Sequence, residues 1–464
     1  MKLHINYLIA GVALSLSSCS DFVDIKTQGG IVPDKIENFR YILNNTSELY
    51  GASALPDIMS DDVYIKDGGL QYTSAANASE YDSWFTQAYT WAEQIYPESG
   101  YNNKDVGWNG MYNTIAYANV VINEIDNCTN GTVAERNALV AEAKVHRADA
   151  YLMLVNQYAA SYDAATAYSD AGVPLVLTQD TEQSLVRASV GKVYDQIISD
   201  LKDAVPYLPD TQEFTTMPTK AAAYGELARA YLLMGMYKEA ADNADASLKL
   251  NSNVVDLNDG FYPQLISSPE ILLYKKPIQT NGTWGCTMLH LSDEIVDLLG
   301  EKDLRYQQWT ASVTDYAANF AADGGRLYYF DINLGGRNVG PSVPEMMLIK
   351  AEYLARNGQA AEAMDQVNTL RKYRFAAADY EALTATDAED ALKQVIDERH
   401  REFFCRNLRW YDMRRLRNDS RFAKTYTRSW GGETLRLDPQ SPRWLMPIPA
   451  YQVIITPGLE QNPR

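Results

Sequence analysis

The sequence contains few of the residues that form disulfide bonds or bind transition metals. Its 464 residues include only 4 cysteines and 4 histidines. No Cys-x-x-Cys pair and no His-Glu-x-x-His motif occurs. The sequence therefore gives no indication of a disulfide framework, a zinc knuckle or a zinc hydrolase. We expect neither a metal site nor a cofactor.

Positive charge is also scarce, because 41 lysines and arginines face 60 aspartates and glutamates, a formal net charge of -19. A protein that follows the phosphates of a nucleic acid needs a basic stripe, so we expect no nucleic-acid partner. After Leu16 no apolar run approaches the roughly 20 residues that a membrane-spanning helix needs.

The N-terminus has the pattern of an export signal. Lys2 precedes the apolar stretch Leu8–Leu16, and two small serines follow it. The tetrapeptide Leu-Ser-Ser-Cys that ends at Cys19 resembles a bacterial lipobox, in which the cysteine is acylated and becomes the first residue of the mature chain. An ordinary export signal with an incidental cysteine is the alternative. We expect a signal, an acylated linker and a body over residues 1–18, 19–30 and 31–464.

Helical repeats dominate this body. Within residues 219–251, apolar residues recur at the i, i+3, i+4, i+7 spacing of an amphipathic helix, and a stripe of small residues follows. The segment resembles a tetratricopeptide repeat, whose period is about 34 residues. A second copy covers 345–374, and a looser pair covers 141–159 and 190–209. Because such helix pairs bury their apolar faces only by stacking, we expect a mainly α, tetratricopeptide-like helical repeat scaffold.

Two stretches, residues 52–109 and 252–343, lack this periodicity. They are rich in turn-forming residues and predict long irregular loops with short helices. The apolar segments Ile271–Tyr274 and Arg326–Ile332 predict a few short strands. A regular scaffold that presents long loops places recognition on those loops.

Several segments together resemble the SusD/RagB family of outer-membrane lipoproteins. The lipobox and the repeats agree with it, and the terminal signature contains Pro-Ile-Pro and Gln-Asn-Pro. The chain departs from the family at Cys405-Arg406-Asn407, where Glu-Gly is common, at Thr456, where an asparagine is common, and at its end, Arg464. The segments that carry the resemblance are Trp108–Ile125, Val193–Pro209, Ile396–Leu416 and Arg443–Pro463.

The resemblance implies a lipid-anchored protein on the outer face of the outer membrane. It would capture oligosaccharides or polysaccharides without catalysis and deliver them to a SusC-like TonB-dependent barrel transporter. Oligopeptide capture of the RagB type is one alternative, and a repeat scaffold that binds only proteins is another. A helical-barrel glycosidase would need two carboxylates facing each other across a cleft, and no such pair is evident, so we expect no enzyme.

Sugar capture needs flat aromatic faces flanked by groups that hydrogen-bond hydroxyls. We expect Trp108 and Trp410 to lie in the core, since both fall on apolar helix faces. The hypothesis requires that at least one of the tryptophans in the two loop regions is open to solvent. The predicted ligand-binding residues are Tyr72, Trp84, Trp91, Tyr96 and Asn102, with neighbours Asn103 and Asp105, and then Trp284, Trp309 and Tyr328.

Other charged groups receive structural interpretations. Asp61-Asp62 and the turn 256–260 could suggest calcium, but the turn lacks the full EF-hand spacing, and solvated turns are favoured for both. We expect His146 and His400 to be surface or capping residues. The arginines between residues 399 and 417 alternate with acidic residues at helical spacings, which predicts internal ion pairs.

Overall fold

Helices form most of the secondary structure, as the sequence predicts. The structure, a computed structural model, describes residues 33–46, 49, 53–78, 83–96, 106–180, 183–260, 265–276, 289–329 and 337–464. The helices are α1 Ile36–Leu43, α2 Leu55–Met59, α3 Leu70–Ala76, α4 Ser83–Tyr89, α5 Val106–Glu124, α6 Val133–Tyr158, α7 Val190–Ala204, α8 Lys220–Leu233, α9 Tyr237–Leu250, α10 Asp293–Leu299, α11 Leu304–Trp309, α12 Val313–Tyr316, α13 Val343–Arg356, α14 Ala360–Arg371, α15 Ala388–Phe403, α16 Leu408–Leu416 and α17 Ala450–Ile455. The strands are β1 Val63–Tyr64, β2 Ala171–Pro174, β3 Arg187–Ser189, β4 His290–Leu291, β5 Thr310–Ser312, β6 Arg326–Tyr328, β7 Tyr426–Trp430 and β8 Glu433–Leu437.

The pairs α8–α9 and α13–α14 have the predicted helix–turn–helix form. Gly235 and Gly358 lie in the two turns with φ of 73° and 82°. Only glycine adopts this conformation without strain, so these residues allow the second helix to fold back on the first. The small residues of α9 permit the close approach, and the Ser247 hydroxyl donates a hydrogen bond of 2.8 Å to the Ala221 carbonyl.

The helices stack in sequence order, with α5 to α9 and then α13 to α15 each contacting the next. α6 starts before the predicted 141–159, because Thr132 and Glu135 form a capping box at its N-terminus. α7 ends before the predicted 209, where Val205–Tyr207 forms a 3₁₀ turn. No helix among the described residues is long and apolar enough to cross a membrane.

A small antiparallel sheet lies in the second loop-rich region, with strand order β1-β4-β6-β5. β6 confirms part of the predicted strand Arg326–Ile332. The predicted strand Ile271–Tyr274 is wrong, because only Ile271 forms a β-bridge, with Ser342. The backbone amides of this segment do not pair with one neighbouring strand. Those of Leu272 and Leu273 both donate to the Pro341 carbonyl, and that of Tyr274 donates to the Thr215 carbonyl.

The C-terminal arginines are ion-paired inside the protein, as predicted. Arg399 and Arg415 contact Asp412 at 3.1 and 2.6 Å, and Arg401 contacts Glu398 at 3.0 Å. Arg414 and Arg417 are exceptions. The Arg414 guanidinium donates to backbone carbonyls of Asn156 and Ala159, and that of Arg417 donates to the Ser161 hydroxyl and the Arg414 carbonyl.

The expectation that His146 and His400 are surface or capping residues is wrong, because both side chains are buried. His146 Nδ1 lies 3.0 Å from Lys275 Nζ, and His400 Nε2 lies 2.7 Å from Asp62 Oδ1. α6 contacts α5, α7 and α8, while α15 contacts α13, α14 and α10. Each helix is therefore covered on several sides, which a single sequence does not reveal.

Candidate ligand-binding site

Most of the predicted ligand-binding rings are buried. The side chains of Trp84, Trp91 and Trp309 are at most 7 % exposed, and Tyr96 and Tyr328 are 5 % and 0 % exposed. The expectation that these rings face solvent is therefore wrong. Trp108 and Trp410, which we expected in the core, are buried as predicted.

The first loop-rich region buries its rings because the C-terminal segment covers it. Trp91 Nε1 donates to the Met59 carbonyl at 3.0 Å, and the Arg428 guanidinium lies 4.4 Å from the Trp91 ring centroid. The Asn407 amide donates to the Asp57 carboxylate at 2.6 Å. Distant parts of the chain thus satisfy polar groups that would otherwise need water.

Arginines also enclose the rings of the second region. The guanidinium of Arg406 lies 4.6 Å from the Trp309 ring, and Tyr328 packs edge-on against Phe404 at 5.3 Å. Trp284, Asn102, Asn103, Asp105 and Cys19 lie outside the described residues. Of the four tryptophans that the hypothesis depends on, three are closed to solvent and Trp284 is untested.

Tyr72 is the predicted ring that remains half-buried, and the structure pairs it with Trp430. The two ring centroids are 4.7 Å apart at an interplanar angle of 60°. The sequence has 8 tryptophans. Among those in the described ranges, Trp430 is half-buried and all others are buried. It is the tryptophan that this part of the chain presents to solvent.

A tight hairpin holds Trp430 at its end. Gly431 and Gly432 link β7 to β8 with φ of 62° and 82°, the combination that a two-residue turn of the type favoured in hairpins requires. Their amides each donate a 2.7 Å hydrogen bond to Asp67. The carboxylate thus fixes the hairpin tip to the loop between β1 and α3.

A second aromatic pair precedes the segment that caps the N-terminus of α3. Tyr316 is exposed and its ring lies 4.3 Å from that of half-buried Tyr329. The hydrogen bond to Tyr329 raises the pKa of the Tyr316 hydroxyl. The 3₁₀ helix Ala318–Asp323 follows Tyr316, and Asp323 accepts hydrogen bonds of 2.8 Å from the amides of Leu70 and Gln71.

We call the half-buried and exposed rings around this loop the aromatic surface. Tyr64 belongs to it because this half-buried residue ends β1, just before the loop. Burial, followed by the nearby carboxylates of Asp293 and Asp323, raises the pKa of the Tyr64 hydroxyl. These rings are rigidly supported, since β-sheet, hairpin and capped helix all meet here. Exposed polar groups such as Lys66, Asp315 and Asn319 lie beside them in sequence. The aromatic surface consists of Tyr64, Tyr72, Tyr316, Tyr329 and Trp430.

The sequence contains a signal for this site outside the two loop-rich regions. Residues 426–437 alternate between inward and outward side chains around Gly-Gly, a recognisable hairpin pattern. The hairpin lies outside both loop regions, so Trp430 was not among the predicted residues. The predicted Tyr72 and the missed Trp430 are brought together only by the fold.

The acidic pair Asp61-Asp62 lies in an ion-pair network and not in a solvated turn. Two Asp61 oxygens accept 2.6 Å hydrogen bonds from Arg409, and Asp62 accepts from His400 and from the Cys405 amide at 2.8 Å. Burial raises the pKa of Asp61, but Arg409 outweighs it and holds that pKa well below its usual range. Ligand atoms of Asp61, Asp62 and His400 lie within 4.8 Å. A metal ion there would have to displace the arginine.

The turn at residues 256–260 behaves as predicted. Asp256 accepts hydrogen bonds from the Asn258 amide and side chain at 2.9 and 2.8 Å, and Asn258 and Asp259 are exposed.

Comparisons with known proteins agree on one family. A family model described as SusD-like, starch-binding and associating with the outer membrane matches residues 21–232, and the SusD family model matches residues 344–464. A curated relative, SusD-like protein P2 of Formosa agariphila, is 26 % identical over 417 residues, which cover 76 % of this chain and 79 % of the relative.

Solved structures show the same fold. A SusD superfamily protein from Bacteroides thetaiotaomicron matches with a TM-score of 0.73 and 21 % identity, over 93 % of this chain and 100 % of that chain. A structure described as a putative sugar-binding protein from Bacteroides vulgatus matches with a TM-score of 0.70 and 20 % identity, over 94 % of this chain and 99 % of that chain.

Proposed function

This chain belongs to the SusD/RagB family, and from that premise we propose that it binds oligosaccharides at the cell surface, without catalysis, for delivery to a TonB-dependent transporter. A relative's structure is described as a sugar-binding protein, which supports the ligand class. The aromatic surface is the site that would contact the saccharide.

The observation that carries this proposal is the pairing of Trp430 with Tyr72. Sugar rings have apolar faces that pack against flat aromatic groups, while their hydroxyls need polar partners. A half-buried tryptophan held by a rigid hairpin offers such a face with little loss of side-chain entropy on binding. The exposed Tyr316 and its partner Tyr329 supply a second pair of rings.

The proposed location rests on the N-terminal sequence. Acylation of Cys19 would anchor the body to the outer membrane through the linker 19–30, and the body 31–464 would face the cell exterior. The family's association with the outer membrane supports this location. A barrel transporter of the SusC type is the partner that we propose.

A protein-binding repeat scaffold is the second candidate, and one observation favours it. That alternative predicts buried tryptophans in the loops, and Trp84, Trp91 and Trp309 are buried. The half-buried Trp430 suits either ligand class, since tryptophan is also enriched in protein interfaces, and the description of a related structure as a sugar-binding protein favours the saccharide.

Calorimetric titration tests the proposal. The mature protein would carry Cys19→Ser to prevent acylation and would be titrated with a panel of polysaccharides and with a peptide mixture. We expect heat from at least one polysaccharide. Heat from peptides alone would favour capture of the RagB type, and heat from neither would favour the scaffold.

A further inference from the structure

A second concave site lies away from the aromatic surface. Residues 93–96 form one side of this C-terminal groove, and residues 447–450 and 461–464 contribute the other side. Its volume is about 270 Å³, and none of the five rings of the aromatic surface lines it. The groove is lined by the cationic side chain of Arg464, which suggests an anionic ligand.

The walls of the C-terminal groove are rigid. Gln461 and Ile448 exchange hydrogen bonds of 2.8 and 2.7 Å between the Gln461 side chain and the Ile448 backbone. The Asn462 side chain donates to the carbonyls of Tyr158 and Met446 at 2.7 Å. Ile95 and Tyr96 on the opposite side are buried. The groove is therefore part of the packed fold.

Arg464 lines this groove with donors that have no acceptor. Its Nε and Nη1 atoms are buried and unpaired among the described residues, and Nη2 donates weakly to the Arg443 carbonyl at 3.4 Å. Burial, and then the positive charge of Arg443, lowers the pKa of Arg464 to about 10, although Tyr96 and Glu93 act in the opposite direction. Unpaired buried donors are costly, so a bound acceptor would recover free energy here.

Glu93 does not neutralise this cation. Its side chain is 68 % exposed, and its nearest cationic atom is Nη2 of Arg443 at 3.5 Å. The Arg443 Nη1 in turn donates to the Trp91 carbonyl at 2.8 Å. Arg443 thus holds the Glu93 carboxylate, and Arg464 is the cationic side chain among the described residues that line the groove.

We infer that the C-terminal groove binds the anionic group of an acidic saccharide, a uronate carboxylate or a sulfate ester, through the Arg464 guanidinium. The planar guanidinium can donate two parallel hydrogen bonds to either group. The saccharide class rests on the proposed function, while the preference for an anion rests on Arg464.

Methyl NMR of the groove provides the test. The isoleucine methyl groups of Ile95 and Ile448 report on this site in the Cys19→Ser protein. The probes are a galacturonic acid tetramer, a sulfated galactose tetramer, a neutral galactose tetramer and tetraglutamate. The variants are Arg464→Gln, Arg464→Lys, and Arg436→Gln as a matched control, since Arg436 is exposed and its ion pair within the described ranges is with Asp438 at 3.4 Å.

We expect at least one acidic tetramer to shift both methyl signals, and the responding tetramer identifies the anionic group. Arg464→Gln should weaken its binding about tenfold or more, because a charge-assisted hydrogen bond is lost. Arg464→Lys should recover part of the affinity, and Arg436→Gln should leave it unchanged. Unchanged binding in Arg464→Gln, or equal binding of the neutral tetramer, would overturn the inference.

Two further outcomes separate this inference from the proposed function. If tetraglutamate binds as tightly as the acidic tetramers, the groove recognises peptide carboxylates and the saccharide assignment is wrong. If neutral saccharides bind through Trp430 while Arg464→Gln has no effect on any probe, the proposed function stands and the groove inference fails. Binding of an acidic tetramer that depends on Arg464 but not on Trp430 would support the groove as a separate site, whereas neutral-saccharide binding that is unchanged by Trp430→Ala would reject the aromatic surface.

Discussion

The buried ionic core and the aromatic surface both join distant parts of the chain, but they use their side chains in opposite ways. We define the buried ionic core as Arg305, Arg371, Arg374, Glu398 and Glu402. Arg305 contacts both Glu398 and Glu402, at 2.7 and 2.8 Å, with no exposure on either side. At the aromatic surface, by contrast, Trp430 leaves part of its ring open.

The contrast shows where this fold fixes its shape and where it leaves a surface for recognition. Burial raises the pKa of Glu398, but Arg305, Arg401 and Arg371 outweigh it and hold that pKa at about 2. Glu398 therefore stays ionised inside the protein, and its ion pairs with Arg305 and Arg371 link α15 to α11 and α14. The rings of the aromatic surface instead pack against one another in pairs, Tyr72 with Trp430 and Tyr316 with Tyr329.

The largest expected effect is a loss of unfolding free energy when the buried ionic core loses one carboxylate. Glu402→Ala would leave Arg305 and Arg374 without a shared carboxylate, since Glu402 contacts each at 2.8 Å. Removing one member of a buried ion-pair network costs about 3–5 kcal/mol of unfolding free energy. Urea denaturation measures it, with Asp397→Ala as the control. Asp397 forms an exposed pair with Lys393, which contributes at most about 0.5 kcal/mol. Equal losses in both variants would contradict the account.

The next prediction concerns a buried carboxyl group. Among the described residues neither Glu226 oxygen has a hydrogen-bond partner, and Arg229 Nη1 lies 4.0 Å from Oε1. Burial, followed by the Asp149 charge, outweighs Arg229 and raises the pKa of Glu226 to about 8. Folding therefore retains a proton that the unfolded chain releases above its usual pKa, near 4.5. This contribution to stability falls as the pH rises from about 4.5 to 8.

Glu226→Gln removes that titration. Relative to the wild type, the variant should gain up to about 1.4 kcal/mol of unfolding free energy per pH unit between pH 5 and pH 8. Urea denaturation at pH 5, 6.5 and 8 measures the difference. A constant difference across this range would show that Glu226 is ionised in the folded protein.

Trp430→Ala tests the aromatic side of the comparison. If its ring packs against a sugar, affinity for the bound saccharide should fall by about 1–3 kcal/mol, by analogy with other aromatic platforms. Calorimetric titration measures the loss. Tyr207→Ala is the control, because Tyr207 is 54 % exposed but lies in the 3₁₀ turn after α7. A similar loss in the control would point to a non-specific effect.

The smallest expected effect concerns the support of the hairpin. Asp67→Asn keeps the size of the side chain but replaces one acceptor oxygen with a donor group, so one of the two turn amides loses its partner. We expect saccharide affinity to fall by at most about 1 kcal/mol, because the lost hydrogen bond holds the hairpin tip and does not itself contact the saccharide. Asp297→Asn, at an exposed position on α10, should leave the titration unchanged. An Asp67 variant that binds normally would show that the tip needs no such anchor.

The sequence predicted the helical scaffold because periodicity and small-residue stripes are local signals. The turns at Gly235 and Gly358 and the interhelical position of Ser247 follow directly from that pattern. The ion pairs of Arg399 and Arg415 also follow, since their partner Asp412 lies on the neighbouring helical turn or the next helix.

Burial of the loop-region rings could not be predicted in the same way. Trp91 is covered by Arg428, more than 300 residues later in the chain. Its φ of 50° is also rare for a tryptophan and has no signature in a single sequence. Cys405 and Asn407 likewise have φ of 54° and 64°, close to where the family commonly has glycine. Contacts between residues far apart in the sequence decide which aromatic rings stay accessible to solvent. They also bring the rings of Tyr72 and Trp430 into contact.

Tryptophan fluorescence quenching tests most directly whether the aromatic surface contacts the saccharide. In a Trp284→Phe background, the remaining tryptophans are Trp430 and the buried ones. We predict that acrylamide quenches a component that Trp430→Phe removes, and that saturating saccharide protects this component. Unchanged quenching in the saccharide complex would contradict the account.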